Sequence, residues 1–459
     1  MRRCLSKKKD LRIKNYKMKK VLILGAGMVV KPIAHYLLNN NIEVTIASRT
    51  KEKAEKVLEG YSNGKAIRWT VDELDQLNDL IKKHDLTVSL LPYKHHVTVA
   101  EKCIQLKKNM LTTSYVSEEM KALNEQAKAA NVIIINEIGV DPGFDHMTAM
   151  EIIDRVHDEG GKVDEFYSLC GALCAPEASN NPFRYKFSWS PKGVVMASNN
   201  DATYLKNKEV IEVPTENLFK NLLKIDFPEV EAMEVYPNRN SLPYIDIYNI
   251  PEVKTMYRGT FRYNGWCDSL DLLKNLKLTA YDIIKVKGKS VAKIVAEINN
   301  LDVNNLKEEI KNKFNINDNH SGLKAIEWLG VLDSNRIITQ ENSSTFDIIS
   351  DLMIEKMTMD ASERDMVIMQ HIFNISKKNG EKETIVSRML DYGNNKYTSI
   401  AKTVALPAAM AVKLILDGVI VGNGVQIPIK KSIYAPILRL LKKEGICMIE
   451  TREELNQYA

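Results

Sequence analysis

The sequence lacks the features that mark secreted or membrane-spanning proteins. It has six cysteines in 459 residues, and they are scattered, which is typical of a protein kept in a reducing compartment. No apolar run reaches the ~18 residues that a membrane-spanning helix needs. The longest candidate, Thr403–Val421, is interrupted by Pro407, Lys413 and Asp417. We therefore expect a cytoplasmic protein without a membrane partner.

The main part of the chain also lacks a strong charge of either sign. The net charge is +5, but residues 1–17 hold eight basic residues and one acid, so the remainder carries only −2. This balance gives no indication of a nucleic-acid partner. The basic leader has no apolar core, which excludes a secretory signal. We interpret it as a disordered tail or an extension ahead of Met18, and an organelle-import segment is the alternative.

A turn containing two glycines, between a strand and a helix, is the most informative motif. Val21–Leu24 is a continuous apolar run, which is typical of a strand buried on both faces of a parallel sheet. Gly25 allows a tight turn, and Gly27 allows a pyrophosphate to approach the backbone. A helix from Val29 to Asn39 would point its free N–H groups at that anion. Since Val30 stands at the third glycine position of the fingerprint, a nucleotide-free α/β domain is the alternative.

The end of the second predicted strand indicates the cofactor. The strand Glu43–Ser48 ends in Ser48-Arg49-Thr50, with no acid. An NAD-binding domain usually has Asp or Glu there to hold the ribose 2′-hydroxyl, whereas a cation and hydroxyls suit a 2′-phosphate. The sequence thus predicts a redox enzyme that prefers NADP(H) over NAD(H).

The element pattern predicts an α/β protein of several domains, because 459 residues exceed what one core usually holds. Strands and helices alternate up to about residue 140, which is typical of a doubly wound parallel sheet. A mixed-sheet region follows, with predicted strands at Val163–Cys170, Tyr185–Trp189 and Lys254–Tyr263. The predicted units are a basic leader (1–17), a Rossmann-type NADP-binding domain (18–141), a mixed-sheet α+β substrate and dimerisation domain (142–268), a mainly helical subdomain (269–360), strands returning to the substrate domain (361–398) and helices returning to the Rossmann-type domain (399–459).

Further elements are predicted from periodicity and turn signals. They are strands at Leu86–Leu91, Met110–Ser114, Val132–Asn136, Asp365–Asn374 and Glu383–Leu390, and helices at Val97–Leu106, Glu118–Ala130, Asp145–Glu159, Ser399–Leu416 and Ile433–Glu444. A turn containing Asn379-Gly380 joins the last two strands.

Ligands of a doubly wound sheet bind at the carboxyl ends of its strands, so the loops there are the candidate site. Leu91 lies where an adenine or ribose would rest. Thr113, Ser114 and Tyr115 lie near the nicotinamide end, and Asp141 follows another strand. Taken alone, each residue has an equally good structural interpretation. Tyr115 could be an aromatic residue at the rim of the site, and Asp141 could form a turn before a proline. Their convergence on one sheet edge favours a functional role.

The segment Tyr257–Tyr263 is predicted to be a strand with cations on one face. Period two places Arg258, Thr260 and Arg262 on the same face, where guanidinium groups could pair with carboxylates. A solvated outer face is the alternative interpretation.

Two other groups are interpreted as structural. His95 and His96 begin a helix, and we interpret them as surface or capping residues. Cys170 and Cys174 are close in sequence, but no second pair of Cys or His completes a zinc site, so no metal is expected.

Longer motifs extend over most of the chain. They are Gly25-Ala-Gly-Met-Val-Val-Lys-Pro32, Ser89-Leu-Leu-Pro-Tyr93 with His96, Thr113-Ser-Tyr115, Asn136-Glu-Ile-Gly-Val-Asp-Pro-Gly143, Asp145-His146, Cys170-Gly-Ala-Leu173, Ala175-Pro-Glu177, Asn181-Pro182, Tyr185-Lys-Phe-Ser-Trp-Ser190, Tyr236-Pro-Asn-Arg239 and Arg258-Gly-Thr-Phe-Arg-Tyr263. In this order they resemble the saccharopine dehydrogenase family of the L-glutamate-forming type, also called saccharopine reductase. The resemblance covers nearly everything from Met18 to Glu450. Cys174 and Phe261 depart from the residues common in the family, and segment 269–360 matches least well.

The resemblance implies residue roles. Cofactor contacts would come from Gly25, Ala26, Gly27, Met28, Val29, Ser48, Arg49, Thr50, Thr70, Val71, Leu91, Thr113, Ser114, Val140, Asp141, Pro142 and Ser190. Substrate contacts would come from Ser114, Tyr115, Asp141, Arg239, Thr260, Phe261 and Arg262. The candidate catalytic residues are Tyr115, Asp141 and Cys170.

The implied reaction joins 2-aminoadipate 6-semialdehyde and L-glutamate as an imine, which NADPH reduces to L-saccharopine, and it also runs in reverse, in lysine metabolism. Arginines suit the substrate carboxylates, and Asp141 suits the cationic iminium. The resemblance also implies a homodimer. The alternatives are a related NADP-dependent imine reductase that makes a carboxylated polyamine, and a non-catalytic Rossmann-type binding protein. Arg239 and Arg262 argue against the first, and the intact glycine turn and Asp141 argue against the second.

Overall fold

The structure is a computed structural model that describes residues 18–453, so the predicted leader at 1–17 lies outside the described residues. Its first half contains β1 (Lys20–Leu24), α1 (Val30–Asn39), β2 (Glu43–Ser48), α2 (Lys51–Leu58), β3 (Gly64–Arg68), α3 (Leu74–Lys83), β4 (Leu86–Ser89), α4 (His96–Gln105), β5 (Asn109–Leu111), α5 (Glu118–Ala122), α6 (Asn124–Ala129), β6 (Ile133–Ile135), α7 (Phe144–Asp158), β7 (Lys162–Cys174), α8 (Pro191–Ala197), β8 (Ala202–Lys206) and β9 (Glu209–Val213). Its second half contains β10 (Leu223–Phe227), β11 (Glu231–Pro237), α9 (Pro243–Ile247), β12 (Thr255–Tyr263), α10 (Trp266–Asn275), β13 (Ile283–Lys285), α11 (Val291–Asn299), α12 (Leu306–Phe314), α13 (Ser321–Leu329), β14 (Asn342–Ser344), α14 (Thr345–Met357), β15 (Asp365–Ser376), β16 (Lys382–Tyr392), α15 (Ser399–Leu416), β17 (Gly424–Gln426), α16 (Lys431–Lys443) and β18 (Ile449–Glu453).

Seven parallel strands form the first sheet, in the order β17-β6-β5-β4-β1-β2-β3. The apolar run of β1 lies between two cores, because alternate side chains of a strand point to opposite faces. Val21 and Ile23 pack on the side of α1 and α15. Leu22 and Leu24 pack on the side of α3 and α4, and all four residues are fully buried. The predicted doubly wound sheet is confirmed.

Several elements of the first half differ from the prediction. The sequence prediction does not include α2, β3 and α3, and it joins α5 and α6 into one helix, which the structure divides at Leu123. β4 ends at Ser89 and β5 at Leu111, earlier than predicted. The residues that follow each strand are therefore loops at the carboxyl edge of the sheet, where they can face a ligand.

The second sheet has nine strands and is mixed, as predicted. Its main path is β10-β11-β12-β7-β15-β16-β18, and the β8–β9 hairpin joins it at β12. β12 and β7 pair in parallel, whereas β7 and β15 pair antiparallel. One face of this sheet shares a core with α7 and α15, and the other face packs under α10 to α14. The predicted β15–β16 hairpin is present, and Gly380 in its turn has φ +87°.

The predicted strand at Tyr185–Trp189 is wrong. This segment makes only an isolated bridge, between Phe187 and Thr358. Tyr185 and Phe187 are buried in the second core, so packing of individual aromatic rings, and not a strand ladder, explains the pattern. The sequence prediction also does not include the strands β8 to β11.

The C-terminal segment returns to both sheets. By length and composition α15 could span a membrane, with a mean hydropathy of 1.6, but 72% of its residues are buried inside the fold. It packs between α1 and α16, and β17 extends the first sheet beside β6. β18 pairs with β16 in the second sheet, which a prediction of helices alone does not anticipate.

Candidate active site

The glycine turn after β1 forms one wall of a cleft at the carboxyl edge of the first sheet. Gly25 has φ +111°, and its N–H donates to Ala47 O at 2.8 Å. A Cβ on Gly25 would lie 2.9 Å from Leu90 O, so this position requires glycine. A Cβ on Gly27 would meet nothing within 4 Å, which leaves open space where a pyrophosphate would approach.

The cleft has a volume of about 600 Å³ and collects most of the predicted cofactor residues. The predicted residues that line it are Gly25, Ala26, Gly27, Ser48, Arg49, Thr50, Thr70, Val71 and Leu91. The sequence prediction missed further lining residues, among them Ala47, Lys53, Trp69, Asp72, Lys94 and His95. α1 begins without a side-chain cap, although the Val30 N–H donates to Gly27 O at 3.1 Å and Pro32 has no N–H. The positive end of the helix dipole still points at the cleft and favours an anion there.

Arg49 lies at the wall of this cleft, directly after β2. Its side chain is exposed and makes no ion pair with any described residue. Lys53 lines the same wall from the first turn of α2. An unpaired guanidinium is available for a bidentate contact with a phosphate. These residues therefore fit the 2′-phosphate of NADP(H).

Met28 and Val29 complete the turn, and Met28 is 59% exposed. The remaining predicted cofactor residues lie elsewhere: Thr113, Val140 and Pro142 lie in the loops after β5 and β6. Ser190 lies beyond the first sheet, directly before α8, where its Oγ accepts a hydrogen bond from Gly193 N–H and caps that helix.

A buried histidine lies beneath the loop after β5. His96 Nε2 lies 2.9 Å from Ser114 Oγ, and His96 Nδ1 lies 2.9 Å from Ser89 Oγ. Burial lowers the pKa of His96 to about 4, so the ring is neutral and orients the Ser114 hydroxyl. The interpretation of His96 as a surface or capping residue is wrong, because the helix start turns one histidine inward and leaves His95 half-exposed at the cleft.

A cluster of ionisable groups lies where the two sheets meet. Arg258 Nη2 donates to Asp141 Oδ1 at 2.6 Å and to Asp145 Oδ2 at 3.1 Å. Tyr115 Oη donates to Asp141 Oδ1 at 3.2 Å. The Arg258 guanidinium also stacks on the ring of Tyr244, 4.3 Å from its centre. The alternative of a solvated outer face for β12 is wrong, because Arg258 is 4% exposed.

A second buried pair completes the cluster. His146 Nε2 lies 2.8 Å from Glu137 Oε2, and His146 Nδ1 lies 2.7 Å from Tyr248 Oη. Burial opposes the charged form of His146, but Asp145 and the hydrogen bond to Glu137 outweigh it and raise its pKa. The sequence prediction assigns no role to Asp145, Glu137 or His146, although the family motifs contain them, and it considers Arg258 only as a cation that could pair with carboxylates.

The cluster changes the proton affinity of the three candidate catalytic residues. Burial and the neighbouring Asp145 raise the pKa of Asp141, and Arg258 offsets part of this effect. Burial and Asp141 raise the pKa of Tyr115 and also that of Cys170. The phenol and the thiol therefore stay protonated near neutral pH, and Asp141 is a better proton acceptor than an ordinary aspartate.

Arg262 lies further along β12 and has no carboxylate partner among the described residues. It is 3% exposed, and three aromatic rings lie 5.3 to 5.6 Å from its guanidinium, those of Tyr185, Tyr236 and Trp266. Its Nε has no hydrogen-bond partner. Its Nη1 donates to Phe261 O at 2.8 Å and its Nη2 to Tyr236 Oη at 3.4 Å. A buried cation without an anion is costly, and a ligand carboxylate would reduce that cost.

The other predicted substrate residues occupy different positions. Thr260 is half-exposed and lies opposite Cys170 in the β12–β7 pair. Arg239 is exposed, and its guanidinium lies 5.5 Å from the centre of the Tyr115 ring. The Phe261 side chain is fully buried against Phe227 on the opposite face, so it cannot contact a substrate. Its prediction as a substrate contact is wrong for the side chain.

Comparisons with known proteins agree with this geometry. Residues 21–135 match the model of the saccharopine dehydrogenase NADP binding domain, and residues 139–446 match that of the saccharopine dehydrogenase C-terminal domain. The chain belongs to the saccharopine dehydrogenase family. The predicted family resemblance is confirmed.

Relatives match over nearly the full length. The chain is 37% identical to saccharopine dehydrogenase [NADP(+), L-glutamate-forming] of Schizosaccharomyces pombe over 94% of this chain and 99% of that protein. The structure of apo saccharopine dehydrogenase (L-Glu forming) from Saccharomyces cerevisiae superposes with a TM-score of 0.89 at 35% identity and covers 95% of this chain and 100% of that one. Mitochondrial alpha-aminoadipic semialdehyde synthase of Bos taurus is also 37% identical, and the match covers 93% of this chain but 47% of that longer protein.

Proposed function

We propose that this protein is an NADP-dependent, L-glutamate-forming saccharopine dehydrogenase of lysine metabolism. It condenses 2-aminoadipate 6-semialdehyde with L-glutamate to an imine, reduces that imine to L-saccharopine, and catalyses the reverse oxidation. Family membership, the near full-length match to enzymes of this name and the charges of the site support this function.

The observation that carries the proposal is the charge balance of the buried cluster. Three carboxylates, those of Glu137, Asp141 and Asp145, face Arg258 and His146, whose raised pKa favours the cationic form of its ring. One negative charge is left uncompensated. The side chain of Asp141 is 18% exposed, whereas those of the other four members are at most 6% exposed. A cationic iminium beside Asp141 would neutralise the cluster at the step where its charge develops.

Carboxylate recognition by Arg262 complements this charge. Strand geometry separates Arg258 from Arg262 by about 13 Å along β12, since each residue advances ~3.3 Å. Thr260 and Cys170 lie between them. A substrate whose nitrogen lies beside Asp141 can therefore extend along the strand with a carboxylate on Arg262. Arg239, whose guanidinium lies 5.5 Å from the centre of the Tyr115 ring, would bind a second carboxylate.

The chain's own residues hold and move protons. Tyr115 keeps its proton and directs its hydroxyl to Asp141. Asp141 is therefore a better acceptor than Tyr115 for a proton released in imine formation or breakdown. The Cys170 thiol is a neutral donor and not a thiolate base. NADPH supplies the hydride when bound. The glycine turn and Arg49 would hold its phosphates, and Ser114, oriented by His96, would lie towards its nicotinamide end.

The alternative functions have less support. A substrate with a polyamine in place of the glutamate part would offer no carboxylate to Arg262, whose guanidinium would then stay unpaired among the three aromatic rings around it. A non-catalytic binding protein would not need a cluster with one uncompensated charge at its most exposed member.

We also propose that the protein acts as a homodimer in the cytoplasm, without nucleic-acid or membrane partners. The scattered cysteines support a reducing compartment, and the near-neutral body supports the absence of a nucleic-acid partner, whereas the homodimer rests on the family resemblance alone. Sedimentation equilibrium tests the dimer, and the location of a fluorescent fusion in cells tests the compartment.

A substrate panel tests the reaction. NADP⁺ reduction at 340 nm is followed with saccharopine, carboxylated polyamines and single amino acids as substrates. The proposal requires rapid reduction with saccharopine and release of L-glutamate. Turnover of a carboxylated polyamine but not of saccharopine would favour the alternative reductase.

A further inference from the structure

One buried residue holds the loop that carries Tyr115 at two points. The Glu137 N–H donates to Ser114 O at 3.0 Å, and the Val116 N–H donates to Glu137 Oε1 at 2.9 Å. These two hydrogen bonds bracket Tyr115, so the backbone on either side of the phenol is fixed to the same residue.

The conformation of Glu137 is unusual for a side chain of its type. Its φ is +56°, in the left-handed region that residues other than glycine rarely adopt. It is 4% exposed, and it lies two positions after the end of β6 and four positions before Asp141. Strained backbone of this kind persists where surrounding contacts enforce it. Here it turns the carboxylate back across the end of β5 towards the loop.

The second oxygen of Glu137 has a cationic partner. Glu137 Oε2 lies 2.8 Å from His146 Nε2, and Tyr248 Oη fixes the other ring nitrogen at 2.7 Å. A carboxylate this deeply buried is costly unless it is paired, and His146 supplies the compensating charge. Both carboxylate oxygens of Glu137 are therefore paired, one with the Val116 N–H and the other with the His146 ring.

We propose that Glu137 is a positioning residue, which places the Tyr115 hydroxyl against Asp141 through its hydrogen bond to the Val116 N–H. Among the described residues, no hydrogen bond or ion pair joins Glu137 to Asp141 or Arg258, so the loop is its structural link to Tyr115. If the loop shifts, Tyr115 loses the 3.2 Å hydrogen bond from its hydroxyl to Asp141. Its ring also loses contact with the Arg239 guanidinium, which lies 5.5 Å from the ring centre. This inference rests on the proposed function only for its kinetic readout.

Two conservative variants separate the length of the Glu137 side chain from its charge. Glu137→Asp keeps the charge opposite His146 but is one methylene shorter, so it cannot reach the Val116 N–H. Glu137→Gln keeps the acceptor for that N–H but loses the charge, and with it a partner that favours the proton on His146. The pair formed with His146 is then neutral as before, so the net charge of the cluster is unchanged. Positioning predicts that Glu137→Asp lowers kcat about 30-fold and Glu137→Gln much less, with the dissociation constant of NADPH unchanged in both. A larger loss of kcat in Glu137→Gln than in Glu137→Asp would overturn the proposal.

A double-mutant cycle tests whether the effect passes through Tyr115. In a Tyr115→Phe background, Glu137→Asp should cost less than about 3-fold further, because the positioned hydroxyl is already absent. A full additional loss would overturn the proposal. Glu118→Gln, at an exposed glutamate of α5, is the matched control and should leave kcat unchanged.

Hydrogen exchange of the 114–116 loop provides a test that needs no catalysis. The Val116 amide should be protected in the wild type and in Glu137→Gln and should exchange faster in Glu137→Asp. Equal protection of the Val116 amide in all three proteins would overturn the proposal that Glu137 positions this loop, whether or not the wild type turns over saccharopine. A wild type that is protected but inactive with saccharopine would instead contradict the proposed function alone.

Discussion

The cofactor cleft and the Asp141 cluster place the same types of charged group in opposite surroundings. In the cleft, Arg49 is exposed and unpaired among the described residues. In the cluster, the Arg258 side chain is 5% exposed and contacts two carboxylates. Water screens an exposed charge, whereas a buried charge depends on its partners. A change in the cleft should therefore act locally, and a change in the cluster should affect both folding and chemistry.

Removal of Arg258 should have the largest effect. Arg258→Met leaves Asp141 and Asp145 buried without their cation, which should lower the free energy of unfolding by about 3–5 kcal/mol. Urea denaturation measures this loss, and activity should fall more than about 100-fold. Arg155→Met is the control, because the Arg155–Glu450 pair is about one-third exposed and should contribute less than about 1 kcal/mol. Equal losses in the two variants would remove the distinction between the regions.

Removal of Arg262 should act on substrate binding. Arg262→Met leaves a substrate carboxylate unpaired in a desolvated site, at a cost of about 2–4 kcal/mol in binding. Steady-state kinetics should show a strongly raised KM for saccharopine, and NADPH titration should be unchanged. Arg262→Lys keeps the charge but lacks the planar fork, so it should restore only part of the affinity. Loss of NADPH binding with an unchanged KM would show that Arg262 belongs to the cofactor site.

The two buried histidines should have opposite effects on pH dependence. The folded-state pKa of His96 is lowered to about 4, so stability is lost as the pH falls from about 6.5 towards 4, by up to about 3 kcal/mol. The pKa of His146 is raised, so its contribution is present below about 6.5 and is lost as the pH rises through its folded value.

Melting temperatures from pH 4.5 to 8.5 measure both effects. Relative to the wild type, His96→Gln should flatten the acid side of the profile and His146→Gln the alkaline side. The same change on the same side in both variants would contradict the assigned charge states.

Removal of Arg49 should have the smallest and most local effect. Arg49→Ala should lower the preference for NADPH over NADH by about 1.5–3 kcal/mol, or roughly one to two decades in kcat/KM, without a change in melting temperature. Lys53→Ala is the matched control and should change the ratio less, because lysine lacks the fork. An unchanged ratio in Arg49→Ala would place the 2′-phosphate elsewhere.

The two regions also differ in how far the sequence predicts them. The glycine turn and Arg49 lie within 25 consecutive positions of one strand–helix–strand unit, so local geometry is enough to place them. The cluster joins Arg258 to Asp141 across 117 positions, and no local pattern specifies that contact. Periodicity did place Arg258 and Arg262 on one face, but it could not show that burial and the first domain cover that face.

Two corrections have a clear physical origin. The family resemblance assigns Phe261 to the substrate, whereas the period of two places its side chain on the face opposite Arg262, where it is buried. His95 and His96 are adjacent, but a helix rotates each residue by about 100°, so one turns to the cleft and the other to the interior. The partner of His96, Ser114, is 18 positions away and comes from another strand end.

The central claim is that the uncompensated charge at Asp141 stabilises the cationic imine during reduction. The most direct measurement is single-turnover NADP⁺ reduction by saccharopine in the wild type and in Asp141→Asn, with binding of both ligands measured separately. The account predicts a rate about 10–100-fold lower in Asp141→Asn, with saccharopine and NADP⁺ bound nearly as tightly as by the wild type. An unchanged rate, or a loss confined to binding, would contradict it.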